Sequence, residues 1–208
     1  MGRELRVIDP NGLYHVVTKG NNGGALVYDL LDIDLFVDEL DRVATKYHWE
    51  VWAWCLMTNH YHVVLRTPEG ALSCGMQELN GNHSRRTNRR HDRSGHLVRN
   101  RFFSVAVDSD AYAVSSVVYV VTNPVKAGLC RTPAAWPACS YRATAGLEPA
   151  PRWLAVDAVQ ALFGKDRESA VRAYRDYVHS GHLPVSDTIE SLSRFEPESP
   201  RPRLKTSS

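Results

Sequence analysis

The stretch Met57-Thr58-Asn59-His60-Tyr61-His62-Val63-Val64-Leu65 sets two histidines one residue apart at the head of an apolar run that stops at Arg66. In a strand, successive side chains point to opposite faces. His60, His62 and Val64 then share one face, and Tyr61, Val63 and Leu65 the other. Two imidazoles side by side on a rigid strand make half of a metal site, although the same spacing also occurs where both rings are merely packed. Thr58-Asn59 reads as a turn, and Trp49 to Met57, dense in Trp49, Trp52 and Trp54, as the strand before it. The two strands are expected to form an antiparallel hairpin. Alternation must bury one sheet face, so Trp52, Trp54 and Tyr61 are read as core.

Outward from the hairpin, Gly12 to Lys19 reads as a first strand with Tyr14, Val16 and Thr18 on one face. The loop Gly20-Asn21-Asn22-Gly23-Gly24 follows, built from residues that tolerate positive φ. Such a loop is either a plain turn or a place where backbone approaches phosphate. Asp32 to Tyr47 has helical spacing, with Ile33, Phe36, Val37, Leu40, Val43 and Ala44 in one stripe. Leu72 to Arg90 is a second helix, and Arg101 to Val107 a short strand. Ser109 or Asp110 can cap a third helix through Tyr112, Val117 and Tyr119, which Pro124 is expected to end. Two short helices, about 153–163 and 166–178, follow a connector rich in Trp and Pro.

With 208 residues, of which 43% are hydrophobic and 9% aromatic, the chain is sized for one core with a small C-terminal appendage. Met1 to Gly12 lacks the apolar segment of a signal peptide, and no apolar run approaches the roughly 20 residues of a membrane helix. Cys55, Cys74, Cys130 and Cys139 form no Cys-x-x-Cys pair, which argues against a zinc knuckle and suits a reducing cytoplasm. The net charge of +2 hides an uneven distribution. Arg85, Arg86, Arg89, Arg90, Arg93, Arg99 and Arg101 are opposed locally only by Asp92, whereas Asp29 to Asp41 is acidic. The cluster is either a solvated helix face or a polyanion surface. The preference for arginine over lysine favours nucleic acid, because guanidinium grips phosphate in bidentate fashion.

Tyr119-Val120-Val121-Thr122-Asn123 lies late in the third helix. Residues four apart share a helical face, so Tyr119 and Asn123 can point at one spot. The phenol is a candidate nucleophile and the amide oxygen a candidate ligand; a tyrosine among valines is otherwise a core residue. Pro124 disfavours helical geometry at Asn123.

These residues together resemble the single-tyrosine HUH transposases, specifically the REP-associated tyrosine transposases of bacteria. The histidine–hydrophobe–histidine signature is His60-Tyr61-His62 within Leu56 to His62. Further matches are Tyr14-His15-Val16-Val17 with Gly20-Asn21, Gly95-His96-Leu97 with Arg101-Phe102, and Tyr119 with Asn123-Pro124-Val125-Lys126-Ala127-Gly128-Leu129. They cover about Tyr14 to Tyr141 in the family's order. Val121 stands where many relatives have histidine, and Lys19 where an arginine is usual.

The resemblance implies an α+β fold, a ferredoxin-like antiparallel sheet with helices on one face and the HUH strand central. It implies a transposase domain over residues 1–145; the two short helices make 146–183 a helical extension, and composition makes 184–208 a disordered tail. The resemblance further implies His60 and His62 as metal ligands, Tyr119 as nucleophile and Asn123 as third ligand. The metal would be Mg2+ or Mn2+, with Mn2+ the more tolerant of nitrogen ligands. The expected partner is single-stranded or hairpin DNA, with the seven arginines named above on its phosphates. The chain is expected to act as a monomer or homodimer, away from membranes, in the bacterial cytoplasm and on the nucleoid when bound to DNA. Two other classes stay in view: a domesticated hairpin-binding protein without mobility, and a metal hydrolase that uses water.

Overall fold

A computed structural model describes residues 9–68, 70–99 and 101–181. The tail expected over 184–208 lies outside these. The chain runs β1 (Leu13–Lys19), α1 (Leu30–Lys46), β2 (Glu50–Leu56), β3 (His60–Arg66), α2 (Leu72–Arg90), β4 (Phe103–Val107) and α3 (Asp110–Lys126). Three further helices follow: α4 (Tyr141–Thr144), α5 (Val156–Ala161) and α6 (Arg167–His179). The four strands pair antiparallel in the order β2-β3-β1-β4. The histidine strand β3 is therefore central, with both backbone edges occupied.

Alternation along β3 sorts its side chains as the sequence reading requires. Tyr61, Val63 and Leu65 are buried against α1 and α2, where the Tyr61 ring lies 4.9 Å from Phe36 and its hydroxyl donates to Asn80 Oδ1 at 2.7 Å. The α1 stripe of Ile33, Phe36, Leu40, Val43 and Ala44 is buried here, and Asp29 caps the helix by accepting from Asp32 N. In α2 the buried residues Leu72, Met76, Leu79, His83 and Thr87 recur at helical spacing. Gly75 belongs to the same stripe: a Cβ there would sit 2.2 Å from the Trp49 ring, so only glycine lets α2 approach.

The opposite face carries α3. The expectation of helices on one face thus describes α1 and α2, while the tyrosine helix takes the histidine face. Val117, Val118, Val120 and Val121 are all buried, because α3 is covered on its outer side by the C-terminal segment. A helix apolar all round is stable only in such a sandwich. Its start is capped as expected, Ser109 Oγ accepting from Tyr112 N at 3.3 Å. Its end differs from expectation. Pro124 does not stop the helix, which continues to Lys126 with Asn123 inside it. Proline removes the N–H that Val120 O would accept and crowds that carbonyl; beyond it the helix end is closed by Ala127 N on Asn123 O and Leu129 N on Pro124 O, both at 2.9 Å.

The segment after α3 closes the outer edge of β2. Leu56 N donates to Ala138 O, Ser140 N to Trp54 O, Val51 N to Trp153 O, and Ala155 N to Val51 O. Trp136 Nε1 adds a bond to Leu56 O at 3.0 Å. An open edge invites pairing with another chain; here it is filled from within.

Burial also sets an acid limit on the fold. His83 donates a ring N–H to Leu26 O, and burial pushes its pKa down to about 4. Its folded pKa is depressed, so the unfolded chain binds the proton first and stability falls as pH drops from about 6.5 toward 4. The loss approaches about 1.4 kcal/mol per pH unit for this one group. His83→Gln keeps a donor for Leu26 but cannot titrate. Melting temperature against pH should be shallower for it than for the parent over that window; parallel curves would show that His83 takes no part in acid unfolding.

Candidate active site

Three elements bring the sequence-predicted groups together. On β3 the rings of His60 and His62 lie 5.1 Å apart, centroid to centroid. The β1 register sets Val17 opposite His62 and Lys19 opposite His60, which puts His15, Val17 and Lys19 on the same face. The His15 ring lies 5.3 Å from His62. From above, α3 lowers Tyr119 to 5.6 Å from His62 and 5.8 Å from His15. Asn123 follows one turn later and is buried. Lys126 Nζ, two turns on, lies 4.5 Å from the centre of the Tyr119 ring.

The electrostatics follow from this packing. Burial pushes His15 down to about 3. Burial, then the charges of His60, His15, Lys19 and Lys126, holds His62 well below the usual histidine range. Both imidazoles are therefore neutral at pH 7, the form that ligates metal. His62 Nδ1 is 3.1 Å from His15 Nε2, whereas His62 Nε2 is buried and meets no hydrogen-bond partner among the described residues. A buried ring nitrogen of this kind costs free energy unless satisfied, and a cation would satisfy it. Two imidazoles and an amide oxygen fit a divalent ion that accepts nitrogen, Mn2+ more readily than Mg2+.

Asp29, Asp32 and His91 also converge, with ligand atoms within 4.8 Å of one another. That group is already filled by a guanidinium: Arg90 reaches Asp29 Oδ2 at 2.7 Å and Asp32 Oδ1 at 2.8 Å. It is a structural ion pair at the start of α1, held between the acidic and basic segments that the sequence showed as opposites.

This pairing bears on the expectation that all seven arginines lie on phosphate, because Arg86 and Arg90 already meet carboxylates. Arg86 faces Asp38 and Glu39 across α1, each at 3.8 Å. Both arginines lie on the helix face that packs against α1. Arg85 turns back to Asn82 Oδ1. Arg89, Arg99 and Arg101 are exposed, and Arg93 lies 5.3 Å from the Tyr28 ring while also exposed. The glycine loop behaves as a turn: Gly20 N donates to Asn59 O, Gly24 N to Asn21 O, and Asn21 N to Leu97 O. Two residues of the site, His15 and Lys126, were not singled out in the sequence. Each stood inside a quoted motif, but only strand register and helix placement show that it reaches the cluster.

Comparison with known proteins bears on the whole arrangement. A family model described as "Transposase IS200 like" matches residues 11–123, which span β1 to Asn123. No curated protein sequence matches. Among solved structures, a REP-associated tyrosine transposase bound to a REP hairpin is similar over 72% of this chain and 89% of its own, with 20% identity and a TM-score of 0.61. A tRNA(His) guanylyltransferase from Saccharomyces cerevisiae aligns over 94% of this chain and 85% of its own at 12% identity, but its TM-score of 0.46 carries no argument. The first of these likenesses shows the fold, an antiparallel four-stranded α+β sheet with its helices. The family match covers the histidine strand and the tyrosine helix alike, and by it the chain belongs to the IS200-like transposase family, enzymes that act on DNA.

Proposed function

We propose that this transposase cuts and rejoins single-stranded DNA beside a hairpin, with Tyr119 as the nucleophile. The observation that carries the reading is the placement of the Tyr119 ring against His62 and His15, with the Lys126 ammonium on the ring. A nearby cation favours negative charge on the phenolic oxygen as the proton leaves. Tyr119 Oη then attacks the scissile phosphorus, the bond to the 3′ oxygen breaks, and that oxygen takes a proton to leave as a 3′-OH. One phosphodiester replaces another, so no ATP is needed, and attack by a 3′-OH on the 5′-phosphotyrosine reverses the step.

His60, His62 and Asn123 would hold Mg2+ or Mn2+, which when bound polarises the phosphate and orients it for in-line attack. Lys19 and Lys126 add positive charge beside the same face. The filled β2 edge removes one surface for sheet-to-sheet pairing.

The partner reading is supported by the solved relative, which was captured on a REP hairpin. The direct test uses hairpin-flanked single-stranded oligonucleotides labelled at either end and incubated with Mn2+. A 3′ label should migrate with the protein on a denaturing gel, and a 5′ label should appear on a shorter fragment ending in 3′-OH. Release of both fragments without any adduct would assign the chemistry to water instead.

Phosphate contact is assigned to the exposed Arg89, Arg93, Arg99 and Arg101, with Arg85 beside them. Replacing Arg89 and Arg93 with alanine should weaken binding to matched and scrambled hairpins alike. The slope of log affinity against log salt should fall by about 0.7 for each phosphate that is no longer neutralised. Arg90→Ala should behave differently, lowering the melting temperature by leaving the buried Asp32 carboxylate short of one partner. If Arg90→Ala flattens the salt slope and leaves the melting temperature unchanged, its ion pair yields to DNA and the assignment is reversed.

A further inference from the structure

Resting on the metal reading above, we infer that Asn59 and His15 are positioning residues which preset His60 and His62 in the tautomer that binds metal. A neutral imidazole carries its proton on one ring nitrogen only, and the hydrogen bond made by one nitrogen decides the state of the other. His60 Nδ1 lies 2.9 Å from Asn59 Oδ1. The amide is oriented to match, with Asn59 Nδ2 directed at Gly23 O at 3.4 Å, which leaves Oδ1 as the acceptor. His60 therefore donates through Nδ1–H, and its lone pair resides on Nε2.

The glycine loop thereby gains a purpose beyond turning the chain. Gly20 N ties the loop to Asn59 O at 2.8 Å, and Gly23 O holds the Asn59 side chain from the other end. On β1, His15 Nε2 faces His62 Nδ1 at 3.1 Å. If His62 is the donor of this pair, it donates Nδ1–H to His15 Nε2, the His15 proton sits on Nδ1, and His62 presents a bare Nε2; among the described residues neither His15 Nδ1 nor His62 Nε2 meets a hydrogen-bond partner. Both ligands would then use Nε2, each oriented by a neutral acceptor from a different element. Neutral acceptors suit a site that must also admit a phosphate, because a carboxylate in either place would repel it. Loss of such supporting groups costs metal affinity roughly 10–100-fold.

The experiment reads tautomers and affinity separately. Long-range proton–nitrogen spectra of the metal-free protein should show His60 and His62 protonated on Nδ1. Asn59→Ala should move His60 toward the Nε2–H form, and His15→Phe, which keeps ring volume, should do the same for His62. Calorimetric titration with Mn2+ should show affinity about 10–100-fold weaker in both variants. His15→Gln, whose amide oxygen can accept, should recover part of the loss. Melting curves identify any variant that fails to fold, and the spectra of the parent still decide the matter there. A proton on Nε2 of either ligand in the parent overturns the inference, as does unchanged Mn2+ affinity in a folded Asn59→Ala. If the parent shows the expected tautomers yet binds no Mn2+, the metal reading fails while the positioning contacts stand.

Discussion

Tyr119→Phe should abolish the covalent protein–DNA adduct and reduce cleavage at least about a thousandfold, as expected for loss of a nucleophile. The substitution keeps the ring that packs against His15 and His62 and removes only the attacking oxygen. Stability should change by no more than about 0.5–1.5 kcal/mol, the worth of a hydroxyl's hydrogen bonding. Hairpin affinity should stay within a few fold of the parent, because the exposed arginines are untouched. The measurement is a denaturing gel of protein with 3′-labelled hairpin, alongside a melting curve. A persistent adduct would move the nucleophile elsewhere, with Tyr112 first in line as the tyrosine two turns earlier on α3.

His60→Ala and His62→Ala should each lower metal-dependent cleavage by at least about a hundredfold, more than the loss of a supporting group would cost. His62→Gln serves as a milder companion, since His62→Ala also leaves His15 without its imidazole partner in a fully buried site. Asn123→Ala should weaken metal binding more than DNA binding, its place one turn beyond Tyr119 being the ground for assigning it as third ligand. Cleavage by the parent should stop in excess chelator and return on adding Mn2+. Full activity in chelator would mean that Lys19 and Lys126 polarise the phosphate unaided, and the ligand assignment would fall.

Much of the fold was legible in local patterns. Period-two alternation in His60 to Arg66 sorted the two histidines from Tyr61, Val63 and Leu65, and the observed strand has those bounds. The second helix, Leu72–Arg90, appears as read, with Leu72, Met76, Leu79, His83 and Thr87 buried along one face. Errors fell where local propensity met tertiary context. Pro124 signalled a helix end, but α3 lies between sheet and C-terminal segment, and burial of its valines outweighs one missing backbone bond. The helix expected over about 153–163 shortens to Val156–Ala161, because Leu154 and Ala155 are drawn to the β2 edge.

The sequence by itself determined which chemistry was available: two imidazoles on one strand face, a phenol and an amide one helical turn apart, and a run of arginines. Those facts depend only on covalent order and on the periods of strand and helix. Tertiary structure decided which groups meet. His15 joins His62 only because β1 pairs with β3 in one register, and a shift by one residue would send it to the other face. Lys126 reaches the tyrosine ring only because α3 runs on through its proline. Arg86 and Arg90 meet carboxylates only because α2 packs on α1, where the acidic segment lies. Charge along a chain records what can be paired, and packing alone selects the partner.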